Sequence, residues 1–177
     1  YWKYIWNNKR KYYTKNLNYK DPILIAGYNE GISHKECSIY TFKERWEFIK
    51  KKFNIEENDS LLDIGCSAGC LAQYINNKYI GVDISRYMVE QFNIIQKNKI
   101  AFLCEDTTNL YFPNNSFDYV LSDSVFQYFP NYNYAIKVIC EMKRIARKGI
   151  IILCNRMPNT ISRNEHLHYN ETFFIET

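Results

Sequence analysis

Apolar positions recur along this chain at two alternating periods, which predicts strands separated by helices. Ile39, Phe42, Trp46, Ile49 and Phe53 fall at three- and four-residue steps among lysines and glutamates, so residues 37–53 read as an amphipathic helix. Asn58 and Asp59 break that pattern before a strand at 60–64. Gly65 opens a loop of small residues, and Leu71, Ala72 and Tyr74 then resume at helical spacing, predicting a helix over about 69–76. A second strand at 79–82 ends on Asp83, and Ser85 caps a helix carrying Met88, Val89, Phe92 and Ile95. The third strand, 100–104, ends on Glu105 and Asp106, and residues 113–115 form a turn. The fourth strand, 117–121, is followed by Ser122, Asp123 and Ser124. Residues 131–146 read as a helix with Arg144, Arg147 and Lys148 near its C-terminus and Gly149 as its stop. A fifth strand, 150–154, is apolar on both faces, as a central parallel strand should be. Ahead of all this, residues 21–31 read as an ordered loop.

Strands alternating with helices imply right-handed crossovers and an α/β fold, a doubly wound Rossmann-like parallel sheet. Ligands of such sheets bind beyond the carboxyl ends of the strands. Asp63, Asp83, Asp106 and Ser122 to Ser124 all fall at those ends, where one pocket collects them.

The stretch from Leu61 to Cys70 carries the chemistry. Gly65 and Gly69 open backbone angles closed to other residues and leave room for a ligand, and the helix that follows presents its free amides to it. A dinucleotide fits poorly. Read from Gly65 as Gly-x-Gly-x-x-Gly, the second glycine is Ser67 and the third is Cys70, although Asp83 stands about twenty residues on, where a ribose-binding acid belongs. Asp63 would also repel a pyrophosphate. A cationic, phosphate-free cofactor suits that acid better, and S-adenosylmethionine carries an ammonium and a sulfonium.

Leu-Leu-Asp-Ile-Gly-Cys-Ser-Ala-Gly at 61–69, Ile-Gly-Val-Asp-Ile-Ser at 80–85 with Met88, Asp106, and the segment 110–120 occur in order at natural spacing. Over at least residues 60–154 the chain resembles the class I S-adenosylmethionine-dependent methyltransferases, and 110–120 is similar to the ubiquinone/menaquinone-biosynthesis branch. The resemblance implies that Asp63 reaches the cofactor ammonium and that the backbone of Gly65, Cys66, Ser67 and Gly69 holds its methionine part. It implies that Asp83 takes both ribose hydroxyls, that Ile84 and Met88 line the adenine, and that Asp106 accepts from the exocyclic amine, with Glu105 as the alternative acceptor. Thr107 and Ser122 complete the implied cofactor set. Asp118 reads as a structural acid.

Two departures matter. Ser67 replaces the usual middle glycine, which ordinary backbone angles would tolerate. The segment Ser122-Asp123-Ser124-Val125-Phe126-Gln127-Tyr128 lacks the Asn/Asp-Pro-Pro-Tyr/Phe signature of enzymes that methylate planar nitrogens, and Gln127 and Tyr128 replace histidines found in many relatives. Asp123, Gln127 and Tyr128 are the candidates for positioning a methyl acceptor, against packing and capping roles for the same residues. His166 and His168 are weak evidence for a base and weaker for a metal.

Composition changes this picture little. With 177 residues, 46% hydrophobic and 24% charged, the chain has room for one core. No run approaches the roughly 18 apolar residues of a membrane span, and no secretory signal opens it. Six scattered cysteines without a zinc pattern read as reduced thiols, giving a cytoplasmic expectation and no metal. The net charge of +4 is modest, but Lys3, Lys9, Arg10, Lys11, Lys15 and Lys20 interleave with tryptophans and tyrosines. That arm reads as part of a lid over residues 1–56, with residues 57–177 forming the cofactor domain. Only residues 155–177 follow the fifth strand, so the expected sheet is truncated there. The sequence therefore points to a methyltransferase acting on a small molecule or a sugar. Its rivals are an RNA or protein methyltransferase using the basic aromatic arm, and a cofactor-binding module without transfer.

Overall fold

Five apolar runs form five strands in the computed structural model, which describes residues 3, 4, 7, 8, 21–26 and 41–153. They are β1 (Ser60–Ile64), β2 (Lys78–Asp83), β3 (Ile100–Leu103), β4 (Phe117–Asp123) and β5 (Ala146–Leu153). All pair in parallel, in the order β3-β2-β1-β4-β5. The order reverses between β1 and β4, so their carboxyl ends flank the crevice where such a sheet binds its ligand.

Among the described residues the strands are accompanied by the α-helices α1 (Pro22–Ile25), α2 (Phe42–Lys52), α3 (Arg86–Ile95) and α4 (Tyr132–Ile145). A reciprocal capping box starts α2, with the Glu44 amide donating to Thr41 Oγ1 and the Thr41 amide to the Glu44 carboxylate. Lys50, Lys51 and Lys52 end it where the helix dipole favours cations. Ser85 caps α3 and Asn131 caps α4.

The two-residue period of β1 divides the core. Leu61 packs with Trp46, Ile49 and Phe92 on one face, while Leu62 and Ile64 pack with Val138, Ile139 and Met142 of α4 on the other. Each of these fully buried aliphatic side chains contributes about 1.5–3 kcal/mol over its exposed state. Asp63, two residues from Leu61, lies on the α2/α3 face.

Several elements differ from the sequence expectation. The helix expected over 69–76 is a single tight turn, Ala72–Tyr74. Gly69 at φ +94° and an extended Ile75 bracket it, and Asn77 Nδ2 donates to the carbonyls of Glu56 and Asp59, which ties the segment down before β2. Loop amides rather than a helix terminus therefore face the crevice. Residues 22–25, expected in a loop, form α1, started by Asp21 Oδ1 accepting from the Ile23 amide. The predicted helix at 37–53 begins at Phe42, residues 37–40 lying outside the described residues. β4 runs on through Ser122 and Asp123.

At the other end of the sheet, α4 stops at Ile145 and β5 starts at once, so Arg147, Lys148 and Gly149 are strand residues and Gly149 is not a helix stop. Their cations find carboxylates across the sheet. Arg147 Nη1 donates to Asp118 Oδ1, and Lys148 pairs with Asp59. Asp118 also accepts from the Ser60 amide and hydroxyl, so it holds β1 to β4 far from the crevice. Among the described residues β5 pairs with β4 alone, at one edge of the sheet rather than its centre. The expected truncation beyond it, the aromatic positions Trp2 and Trp6, and His166 and His168 lie outside the described residues.

Candidate functional site

A cavity opens at the carboxyl ends of β1, β2 and β4. From the candidate set, Asp63, Gly65, Cys66, Ser67, Asp83, Ile84, Thr107, Asp123 and Tyr128 line it. Gly69, Met88, Asp106, Ser122 and Gln127 do not, and each has another position. Met88 is fully buried with Ala68 and Ile25, and Ser67 Oγ lies 3.6 Å from its sulfur. Ser122 donates to the Ile64 carbonyl and ties β4 to β1. Asp106 is exposed, accepting from the Thr108 amide and hydroxyl, which hold its pKa below the ordinary carboxylate value. Its neighbour Glu105 lines the cavity instead and pairs with Lys3. Gln127 is buried, its Oε1 without a hydrogen-bond partner among the described residues.

Backbone strain shapes the loop. Gly65 has φ +80°, and a Cβ there would stand 2.2 Å from Val125 Cγ2, so both angle and space demand glycine. Ser67 has φ +52°, which corrects the expectation that its angles are ordinary: a side chain occupies a left-handed position. Ser67→Gly should therefore stabilise the fold by about 1 kcal/mol in urea unfolding, because glycine relieves that strain. Ser124, also on the cavity, is left-handed at φ +61°.

Three aspartates converge on this cavity. Asp83 accepts the Ser85 amide on Oδ1 and the Ser67 amide on Oδ2, both at 2.8 Å. Burial raises its pKa, opposed by the amides of Ser85, Ser67 and Ile84. Asp63 is 3% exposed and accepts the Tyr79 hydroxyl on Oδ2 at 2.5 Å. Its pKa is pushed up to about 7, chiefly by burial, against the Tyr79 bond and with help from Asp123 and Asp83. Asp123 pairs through Oδ2 with Arg45 Nη1 of α2, both side chains more than nine-tenths buried, and its Oδ1 accepts from Ser124 Oγ. Burial, reinforced by Asp83 and Asp63, holds the Cys66 thiol well above its ordinary pKa, so it stays neutral.

The remaining wall is apolar and aromatic, with Phe42, Phe129, Pro130 and Tyr134. Arg45 lies over the Phe42 ring, 5.0 Å from its centroid. Among the described residues of the N-terminus, Lys3 pairs with Glu105 on the cavity wall, and Asn7 Oδ1 accepts from Ser85 Oγ at 3.1 Å. Sequence reasoning missed Arg45, Tyr79 and Tyr134. Tyr79 had a signal, since Tyr79, Gly81 and Asp83 alternate onto one face of β2. Arg45 had none, because its partner lies 78 positions away. No group of three or more potential metal ligands occurs among the described residues, and no helix there is long and apolar enough to cross a membrane.

Comparison with known proteins bears on the whole arrangement. The family model described as Methyltransferase domain matches residues 62–154. The chain is 34% identical over 98 residues to the carboxy-S-adenosyl-L-methionine synthase of Staphylococcus epidermidis, covering 50% of this chain and 43% of that protein. It is 26% identical over 153 residues to the demethylmenaquinone methyltransferase of Oceanobacillus iheyensis, covering 78% of this chain and 63% of that one. The chain thus spans about half the length of these relatives. A Pyrococcus horikoshii protein of known structure shares the fold at TM-score 0.55 and 22% identity, over 63% of this chain and 57% of its own.

Proposed function

The chain belongs to the methyltransferase domain family, and from that premise we propose that its cavity binds S-adenosylmethionine and transfers the methyl group to a small-molecule or sugar acceptor. One observation carries the reading: Asp63, Asp83 and Asp123 line one cavity, and among the described residues the buried cation there is Arg45, paired with Asp123. Such a site is electrostatically incomplete until a cation enters, and it is hostile to phosphate.

In this reading Asp63 receives the cofactor ammonium. Asp83, its carboxylate already oriented by loop amides, accepts from the two ribose hydroxyls. Ile84 packs on the adenine, Glu105 or Thr107 meets its polar edge, and Cys66 supplies a neutral lining. When bound, the cofactor supplies an electrophilic methyl whose transfer discharges the sulfonium. The chain's task is to hold the acceptor atom in line with it, which can account for most of the acceleration. Tyr128 orients the acceptor's polar group, the Asp123 carboxylate receives its proton, and Phe42, Phe129 and Pro130 pack on its body. Residues 1–56 serve as the lid, an arrangement supported by Ala26 and Phe42 on the cavity and by Lys3 and Asn7 at its rim. The oxygen-methylating, nitrogen-methylating and carbon-methylating versions use the same wall. Among the described residues the free thiols of Cys66, Cys104 and Cys140 accord with a reducing, cytoplasmic setting.

Calorimetric titration at pH 8 tests the binding half. S-adenosylmethionine and S-adenosylhomocysteine should both bind, and a folded protein that takes neither would refute it. Incubation with methyl-labelled cofactor and a metabolite extract tests transfer. Label should enter a small molecule; binding without incorporation would leave a cofactor-binding module, and label in RNA or protein would move the acceptor to those classes.

A further inference from the structure

The Tyr79 phenol is buried with its hydroxyl on Asp63, and the register explains why it is there. β2 pairs with β1 so that Tyr79 stands beside Leu61 and Gly81 beside Asp63. Leu61 and Asp63 share a face of β1, and Tyr79, Gly81 and Asp83 share the matching face of β2. Gly81 carries no side chain, and a Cβ there would meet Cys66 Sγ at 2.6 Å. Cys66 fills that space over β2, and from its place beside Leu61 the Tyr79 side chain reaches Asp63 Oδ2 with its hydroxyl. The ring is fixed from behind by Phe92, stacked at 5.8 Å and 9°.

We propose that Tyr79 is a positioning residue for the cofactor: it occupies one oxygen of Asp63 and so presents the other, charged and oriented, to the cofactor ammonium. The inference rests on the cofactor reading given above. A phenol in this place keeps the carboxylate ionised where its surroundings oppose that. Asp83 from β2 and Asp123 from β4 face it with like charge, the Cys66 thiol lies near it, and among the described residues the Arg45 cation is paired with Asp123 rather than with Asp63. Tyr79 is thus the hydrogen-bond donor that compensates the buried acid directly. Its own pKa is raised well above the ordinary phenol value, chiefly by burial and then by the Asp63 charge, so it remains a donor at the neutral and mildly alkaline pH where Asp63 ionises.

Tyr79→Phe removes the hydroxyl and keeps the ring. The pH midpoint of S-adenosylmethionine binding should move up by about one unit, and affinity at pH 8 should fall about 3- to 10-fold. The Asp63 carboxyl carbon resonance, identified by its loss in Asp63→Asn, should titrate with the same upward shift in the cofactor-free protein. Melting at pH 4.5, where Asp63 is protonated in both proteins, should change little. An unchanged Asp63 midpoint in Tyr79→Phe overturns the proposal and leaves Tyr79 as core packing, whatever the melting shift. If wild type binds no cofactor, the cofactor reading fails by itself, and the carboxyl titration still decides whether Tyr79 sets the state of Asp63.

Discussion

Asp83→Ala is expected to weaken S-adenosylmethionine binding by about 10²- to 10⁴-fold. Each charge-assisted hydrogen bond to a buried carboxylate is worth about 1.5–3 kcal/mol, and the variant loses two bonds to ribose hydroxyls. It also releases the amides of Ser67 and Ser85, so the loop after β1 loses its tie to β2. Asp83→Asn separates these effects, because its carbonyl oxygen still accepts one amide and one hydroxyl. The asparagine variant should melt close to wild type and bind at an intermediate affinity. Isothermal titration of both variants at pH 8 checks the order. Equal affinity in wild type and Asp83→Ala would remove Asp83 from the cofactor site.

The carboxyl-end acids were legible in the sequence because strand pattern and strand end are local signals. An apolar run that carries Asp63 one residue before its end, or ends on Asp83, marks both the strand and the place where it delivers a carboxylate to the crevice. The Ser85 cap was legible for the same reason. Local signals failed where a distant partner decides the conformation. Ala72–Tyr74 has helical composition, yet the Asn77 bonds to Glu56 and Asp59 draw the chain straight toward β2. Arg147 and Lys148 resemble helix C-terminal cations until Asp118 and Asp59 face them across the sheet.

The site was legible to the same depth. Sequence order assigns acids to strand ends but not the direction in which a side chain leaves the backbone. Asp106 and Glu105 are adjacent, and only the turn at Thr108 decides that Asp106 folds back while Glu105 faces the cavity. Met88 sits three residues after a cap, where the helix turns it under the loop. The Arg45–Asp123 pair brings α2 to the end of β4. Neither residue carries a mark of it, since a buried ion pair is specified by the packing around it. Asp123 therefore lines the cavity as half of a pair, with Oδ2 held by Arg45 and Oδ1 by Ser124.

Asp63→Asn should stabilise the protein and cripple its binding at once. The unfolded carboxyl ionises near its ordinary value of 3.8, whereas the folded one holds its proton up to about pH 7. The folded state therefore binds more protons between those values. Wild-type stability falls as pH rises through that window, by on the order of 4 kcal/mol, and is flat in this respect above and below it. Asparagine carries no charge at any pH, so the variant escapes the decline. Urea unfolding should find it more stable than wild type at pH 8, with the difference closing toward pH 4. Binding should go the other way. In wild type, cofactor affinity should drop about tenfold for each unit below pH 7, because the ammonium needs the ionised acid. The variant should bind about 10- to 100-fold more weakly at pH 8 and lose the pH dependence. A variant that binds as tightly as wild type, or keeps its pH profile, would show that the ammonium is held elsewhere. The expected opposition of the two effects is the mark of a carboxylate kept in the core for a ligand's charge rather than for the fold.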